Sequence, residues 1–259
     1  NPKPAVGELY EAEARAYFGV SHALSISSGT AALHAAMVAV GAGPGTEVIC
    51  PATGFLATAM AAAMAGATPV FCDIDESMQL NPSLLPGLIT PRTVAIVPTH
   101  HWGVVADMAP IMELARARGL KVVEDCAQSP GAHYRGQLVG TIGDIGCFSI
   151  SAYKIIGGGE GGLLITRDER LWERAAQTAE AGGLWRTKRF APPRHEGELF
   201  PGTNYRFSEL EAAVDRVQLR KLPGIVARHR QVAQRILAQI QPVDGVRWQM
   251  RNDAAGDIG

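Results

Sequence analysis

The chain lacks a charge excess of either sign, is sparing with cysteine and has no long apolar run. Its 24 basic and 25 acidic side chains leave a formal net charge of −1. A general nucleic-acid-binding role favours a basic excess, so that class is excluded. The cysteines are Cys50, Cys72, Cys126 and Cys147, and none forms a C-x-x-C pair. Each sits in or beside an apolar run, which reads as buried free thiols in a reducing, cytoplasmic compartment. The first residues are polar and include Glu8, Glu11 and Glu13, so no signal peptide is expected there. The stretch Ala57 to Ala65 is alanine-rich but too short for a membrane span, and reads as a packed helix. Internal repeats and low-complexity tracts are also missing.

Glycine, by contrast, is plentiful. Its 29 residues fall in short clusters between periodic segments, marking tight turns and close backbone approach to a ligand. With 259 residues and 47% hydrophobic side chains, the chain has material for one large domain, or for a large domain and part of a second.

Strand-like and helical patterns alternate along it. Strands are expected at 23–26, 47–50, 69–72, 94–97, 120–123 and 162–166. Helices are expected at 8–18, 30–40, 55–65, 107–118 and 168–181. Asn81-Pro82 reads as an N-cap with a first-turn proline. Ser208-Glu209-Leu210-Glu211 reads as a capping box, opening a helix to about Leu219. Leu222-Pro223-Gly224 is expected to break the chain before a further helix over 225–240. The segment 183–203 has no period and holds Arg186, Lys188, Arg189 and Arg194, which suits a long functional loop or a partly disordered one. The tail to Gly259 has no evident compact unit. The alternation predicts an α/β fold with a mostly parallel sheet and helices on both faces. Ligands of such sheets sit outside the carboxyl ends of the strands, where Ser28, Asp125 and Ser149 fall.

Several motifs carry chemistry. Lys154 follows the apolar run 147–150, reads as a strand-end lysine, and precedes a glycine-rich loop, 157–162. Upstream, Asp125 closes another strand-like run. A lysine, an acid and a glycine loop suit an aldehyde cofactor: the amine forms a Schiff base, and the acid pairs with a pyridinium nitrogen. Gln128 can hydrogen-bond the phenolic oxygen of such a ring. Phe55 either stacks on a flat ring or fills the core. Ser27-Ser28-Gly29-Thr30 joins a strand to a helix. Its free N–H groups and hydroxyls make a phosphate cup or an ordinary helix cap. Gly157, Gly159 and Gly162 match G-x-G-x-x-G, but a strand pattern follows where a dinucleotide fingerprint needs a helix. His100-His101 and His195-Glu196 have no partners at metal-ligand spacing, so no metal is expected. His101 or Trp102 remains a candidate to line a pocket.

Taken together, these residues resemble the DegT/DnrJ/EryC1/StrS family of pyridoxal-phosphate-dependent aminotransferases of sugars and cyclitols. The likeness runs from about residue 7 to about residue 230. It rests on "SSGTAALHAAMVAVGAGPGTEVICPA", "ITPRTVAIVPTHHWGVVADM", "VVEDCAQSPGAHYRGQLVGTIGDIGCFS", "GEGG" and "NYRFSELEAA". The resemblance implies the large domain of fold type I, here residues 1–224. Residues 225–259 would be a linking helix and the start of a small C-terminal domain that is largely missing. It implies pyridoxal 5′-phosphate, with pyridoxamine 5′-phosphate as intermediate. Lys154 matches the Schiff-base lysine, Asp125 the acid at the ring nitrogen and Gln128 the residue at the ring hydroxyl. Phe55 matches the stacking aromatic, and Ser28, Gly29, Thr30 and Ser149 the phosphate cup. Asn204 matches an asparagine that reaches the phosphate from a partner subunit, which implies a homodimer with shared sites and no nucleic-acid or membrane partner. The implied reaction moves an amino group from glutamate or glutamine to a keto-sugar, nucleotide-linked, or a keto-cyclitol. The basic loop from Arg186 to Arg194 would favour a negatively charged substrate. Ile155, Ile156 and Gly157 depart from the polar residue and threonine that usually follow the lysine. Dehydratases of the same family carry histidine in place of the lysine. A non-catalytic regulatory homologue would not need Lys154, Asp125 and Gln128 together.

Overall fold

The computed structural model describes residues 4–182, 200–241 and 243–258. In chain order, α1 (Val6–Phe18) leads to β1 (His22–Ile26), α2 (Gly29–Ala39), β2 (Glu47–Pro51), α3 (Ala57–Met64) and β3 (Thr68–Cys72). A 3₁₀ turn and α4 (Leu85–Leu88) precede β4 (Thr93–Ile96), α5 (Met108–Arg118) and β5 (Lys121–Asp125). A short hairpin, β6 (His133–Tyr134) and β7 (Gln137–Leu138), comes before β8 (Ile145–Ser149). The remaining elements are β9 (Gly162–Thr166), α6 (Glu169–Ala179) and α7 (Glu209–Leu237).

Seven strands form one sheet in the order β1-β9-β8-β5-β4-β2-β3. The run from β8 to β3 is parallel, while β9 runs against both β8 and β1. The expected mostly parallel sheet is therefore present. Two apolar cores, one per face, explain its stability. Strand side chains alternate between them. Leu163 and Ile165 of β9 join one core and Leu164 the other. Helices α1, α5 and α7 cover the first face, with Tyr10, Ile111 and Leu219 buried. Helices α2, α3 and α6 cover the second, and α2 and α3 approach closely because alanine lines them. Sequence signals set the ends: Gly119 closes α5 with a left-handed φ of 67°, and Asp168 caps α6.

The expected break at Leu222-Pro223-Gly224 does not occur. Helix α7 runs through Pro223 as one helix of 29 residues. A mid-helix proline costs about 3 kcal/mol. Leu219, Leu222 and Val226 lie on either side of it in one core. Burying each such side chain contributes roughly 1.5–3 kcal/mol, so their packing outweighs the lost bond. Pro223 itself faces outward.

The tail also packs back onto the body. Asp257 and Ile258 are buried. The Val105 N–H donates to Asp257 Oδ1 at 2.8 Å, and the Ile258 N–H donates to the Gly103 carbonyl at 3.0 Å. Among the described residues, no helix is long and apolar enough to cross a membrane.

Candidate active site

The turn from β1 into α2 builds the first part of the site. Ser28 is extended, and its Oγ accepts the Ala31 N–H at 3.0 Å, capping α2. The first N–H groups of a helix have no partner within it. Those of Gly29 and Thr30 take none among the described residues. Ser149, at the end of β8, stands beside this turn. A Cβ on Gly29 would lie 2.7 Å from the Ser149 Cβ, so only glycine permits the approach. Gly162 opens β9 equally tightly: a Cβ there would overlap the Ser28 carbonyl. Ser28, Gly29, Thr30 and Ser149 thus gather at the positive end of a helix dipole, an arrangement that favours an anion.

The acid lies on the neighbouring strand. Asp125 ends β5 with 4% exposure. Register places it opposite Cys147 of β8, so Asp125 and Ser149 share the carboxyl edge of two adjacent parallel strands. Its Oδ2 accepts the Thr58 hydroxyl at 2.6 Å and its Oδ1 the Ala127 N–H at 3.1 Å. Thr58 was missed by sequence reasoning. The available signal was a single hydroxyl in the otherwise apolar α3, "ATAMAAAM". The neighbouring thiols of Cys126 and Cys147 are buried and free, and burial chiefly, with the nearby carboxylates, pushes their pKa up. They are poor nucleophiles.

Gln128 holds a strained turn in place. Its Oε1 accepts the N–H of Trp102 at 3.0 Å, where Trp102 has a φ of 56°. Trp102 packs on buried His101 with ring centroids 4.0 Å apart. The His101 N–H donates to Gln79 Oε1 at 3.0 Å. Burial lowers the His101 pKa, and the charge of Asp125 opposes that shift. Phe55, just ahead of α3, is 61% exposed and therefore is no core phenylalanine.

Lys154 is not on a strand end. It sits, half-buried, in the loop between β8 and β9. That loop is tied across itself. The Ile150 N–H donates to Gly161 O at 2.8 Å, the Ala152 N–H to Gly159 O at 2.8 Å, and the Lys154 N–H to Ser151 O at 2.9 Å. Helix α7 holds it from the other side. Glu211 accepts the Glu160 N–H at 3.0 and 3.2 Å, and Gln218 Nε2 donates to Gly157 O at 2.8 Å. The capping box is thus only half made: Ser208 Oγ accepts the Leu210 N–H at 3.2 Å, while Glu211 is drawn to the loop. The loop leads into β9, which has no place in a dinucleotide fingerprint.

Asn204 is exposed, and its Oδ1 accepts the Arg206 N–H at 3.3 Å and Nε at 3.1 Å. The next residue anchors it near the cup, since the Tyr205 carbonyl accepts the Ser27 N–H at 2.9 Å. The basic loop from Arg186 to Arg194 and His195-Glu196 lie outside the described residues.

Tertiary packing does bring His100, Glu124 and Cys126 together, with ligand-type atoms within 4.8 Å. Glu124 is already saturated by His100 Nε2 at 3.0 Å and the N–H groups of Gly140, Ile142 and Gly143 at 2.7–2.9 Å. The Ala106 N–H donates to His100 Nδ1 at 3.1 Å, which leaves Nε2 to carry the proton toward Glu124. This is a buried brace behind Asp125, with little left for an ion.

The sequence profile of the DegT/DnrJ/EryC1/StrS aminotransferase family matches residues 5–256. The chain is 42% identical to the GDP-perosamine synthase of Caulobacter vibrioides over 83% of this chain and 57% of that protein. It is 39% identical to the L-glutamine:2-deoxy-scyllo-inosose aminotransferase of Streptoalloteichus tenebrarius over 85% of this chain and 53% of that protein. The crystal structure of S. venezuelae DesV in complex with a ketimine intermediate superposes with a TM-score of 0.88 at 34% identity, over 99% of this chain and 67% of that one. The chain thus spans a little over half the length of the curated relatives it matches. Its sheet is that of fold type I aminotransferases. On profile, identity and fold together, the chain belongs to the DegT/DnrJ/EryC1/StrS aminotransferase family, whose members depend on pyridoxal phosphate.

Proposed function

We propose that this chain carries the cofactor-binding body of a transaminase acting on a keto-sugar or keto-cyclitol. One observation supports this reading above others. A buried, donor-held carboxylate ends β5, Ser149 of the anion cup ends the adjacent parallel β8, and Lys154 stands on the loop that follows. These residues fit pyridoxal phosphate, because the cup suits a dianion and the close approach at Gly29 would be filled by a Cβ. When bound, that cofactor supplies an aldehyde for amines and a protonated ring that accepts an electron pair.

Lys154 would hold the aldehyde carbon covalently, then carry a proton between the donor's Cα and C4′. Asp125 would pair with the ring nitrogen and keep it protonated, its carboxylate fixed by Thr58 and the Ala127 N–H. Gln128 would hold the ring hydroxyl, and exposed Phe55 would cover the ring. Ser28, Gly29, Thr30 and Ser149 bind the phosphate. Asn204 completes the phosphate site of a second copy in a homodimer. The exposed apolar row Leu210, Val214 and Val217 on α7 supports such a partner. We take glutamine or glutamate as the amino donor and a nucleotide-linked keto-sugar as the first acceptor class, in line with the relatives' names. We take residues 1–224 as this body, with the rest of α7 and the tail packed onto it through Val226 and Ile258.

The test is direct. Protein purified with the cofactor should show a visible absorbance band that borohydride removes, leaving the label on the Lys154 peptide. A label on Lys121 would overturn the assignment; that amine already pairs with Asp144 at 2.9 Å.

A further inference from the structure

Asp215 is a buried acid with no assigned work. It follows Glu211 by one turn of α7, is 1% exposed, and neither carboxyl oxygen has a hydrogen-bond partner. It stands against the loop that carries Lys154. A Cβ built on Gly158 would overlap its carboxyl, and one on Gly161 would lie 3.5 Å from Oδ2. The glycines leave room, and the acid fills it.

We propose that Asp215 is a positioning residue for Lys154, a carboxyl that packs beneath Gly158 and seats the lysine loop on α7. The proposal rests on the role given to Lys154 above. A buried carboxylate without donors is costly, and its neutral form costs less. The groups facing it are acidic or neutral. Glu211 lies on its own helix, Tyr10 on α1, and the backbone of Glu160 is tied to Glu211. No arginine or lysine bonds it among the described residues. Burial first, then the charge of Glu211, pushes its pKa from 3.8 up to about 7. Because the folded value is the higher one, the seat is intact at low pH and lost as pH rises through about 7. Above that, the carboxylate draws water or repels Glu211, and either loosens the loop.

Hydrogen exchange of loop amides 157–162 in the cofactor-free protein tests this, with intrinsic rates corrected. With a pKa of about 7, roughly a tenth of the carboxyl is charged at pH 6 and roughly nine-tenths at pH 8. Loop protection in the wild-type protein is expected to fall about tenfold over that interval. Asp215→Asn should show no such fall, and Glu211→Gln should move it to lower pH. Flat wild-type protection, or an unchanged fall in Asp215→Asn, overturns the proposal. If Asp215→Asn does not fold, the wild-type profile and the Glu211→Gln shift decide. The readout needs neither cofactor nor turnover. A loop that responds as expected in a protein that shows no borohydride-sensitive band would sink the transaminase reading and leave Asp215 as the loop's anchor.

Discussion

Thr58→Val isolates one hydrogen bond at the centre of the site. Valine keeps the shape of threonine and removes the hydroxyl that donates to Asp125 Oδ2 at 2.6 Å. Both residues are 4% exposed, so water does not readily replace the donor. Hydrogen bonds to charged groups contribute about 1.5–3 kcal/mol, and the partner left behind carries a desolvation cost. Asp125 keeps the Ala127 N–H on Oδ1, which limits the loss to one oxygen. We expect a destabilisation of about 2 kcal/mol by urea unfolding of the cofactor-free protein. For a chain of this size that corresponds to a fall of about 4–8 °C in Tm. If Thr58 orients Asp125 toward the cofactor ring, kcat should also drop about tenfold, since 1.4 kcal/mol is a factor of ten. Thr58→Ser, which keeps the hydroxyl, should recover most of both. A Thr58→Val protein within about 0.5 kcal/mol of wild type, or a serine variant no better than the valine one, would refute the reasoning.

Three further outcomes are expected. Gly29→Ala places a Cβ 2.7 Å from the Ser149 Cβ. It should cost about 1–3 kcal/mol of stability and weaken cofactor retention, measured by dialysis and absorbance. Asp125→Asn cannot hold a charged ring nitrogen, so the loss should fall on kcat in single-turnover assays; a wild-type rate would remove its assigned role. Mixing Lys154→Ala with Asn204→Ala subunits should restore some activity if sites are shared. A monomer by sedimentation, or no recovery despite subunit exchange between severely impaired variants, would defeat the dimer.

Local patterns made much of this protein legible. A continuous apolar run places Leu163, Leu164 and Ile165 on a strand with both faces buried. Asn81, Ser28 and Asp168 announce helix starts because their side chains accept first-turn N–H groups. The same locality made Lys154, Asp125 and the Ser28 turn readable, since each is defined by what precedes and follows it in the chain. Tertiary packing decided the rest. Pro223 carries a local stop signal, but burial of Leu222 and Val226 on either side outweighs it. Glu211 fits a capping box, yet the loop beside α7 offers it the Glu160 N–H. Thr58 and Asp125 meet across 67 positions, and Asp215 meets Gly158 across the chain as well. Periodicity and the caps at Ser28, Asn81 and Asp168 follow from bonds within one or two turns, so the sequence alone determines them. Which buried polar group finds a donor, and which is left without one, depends on partners brought together only when the sheet and its two helical layers close.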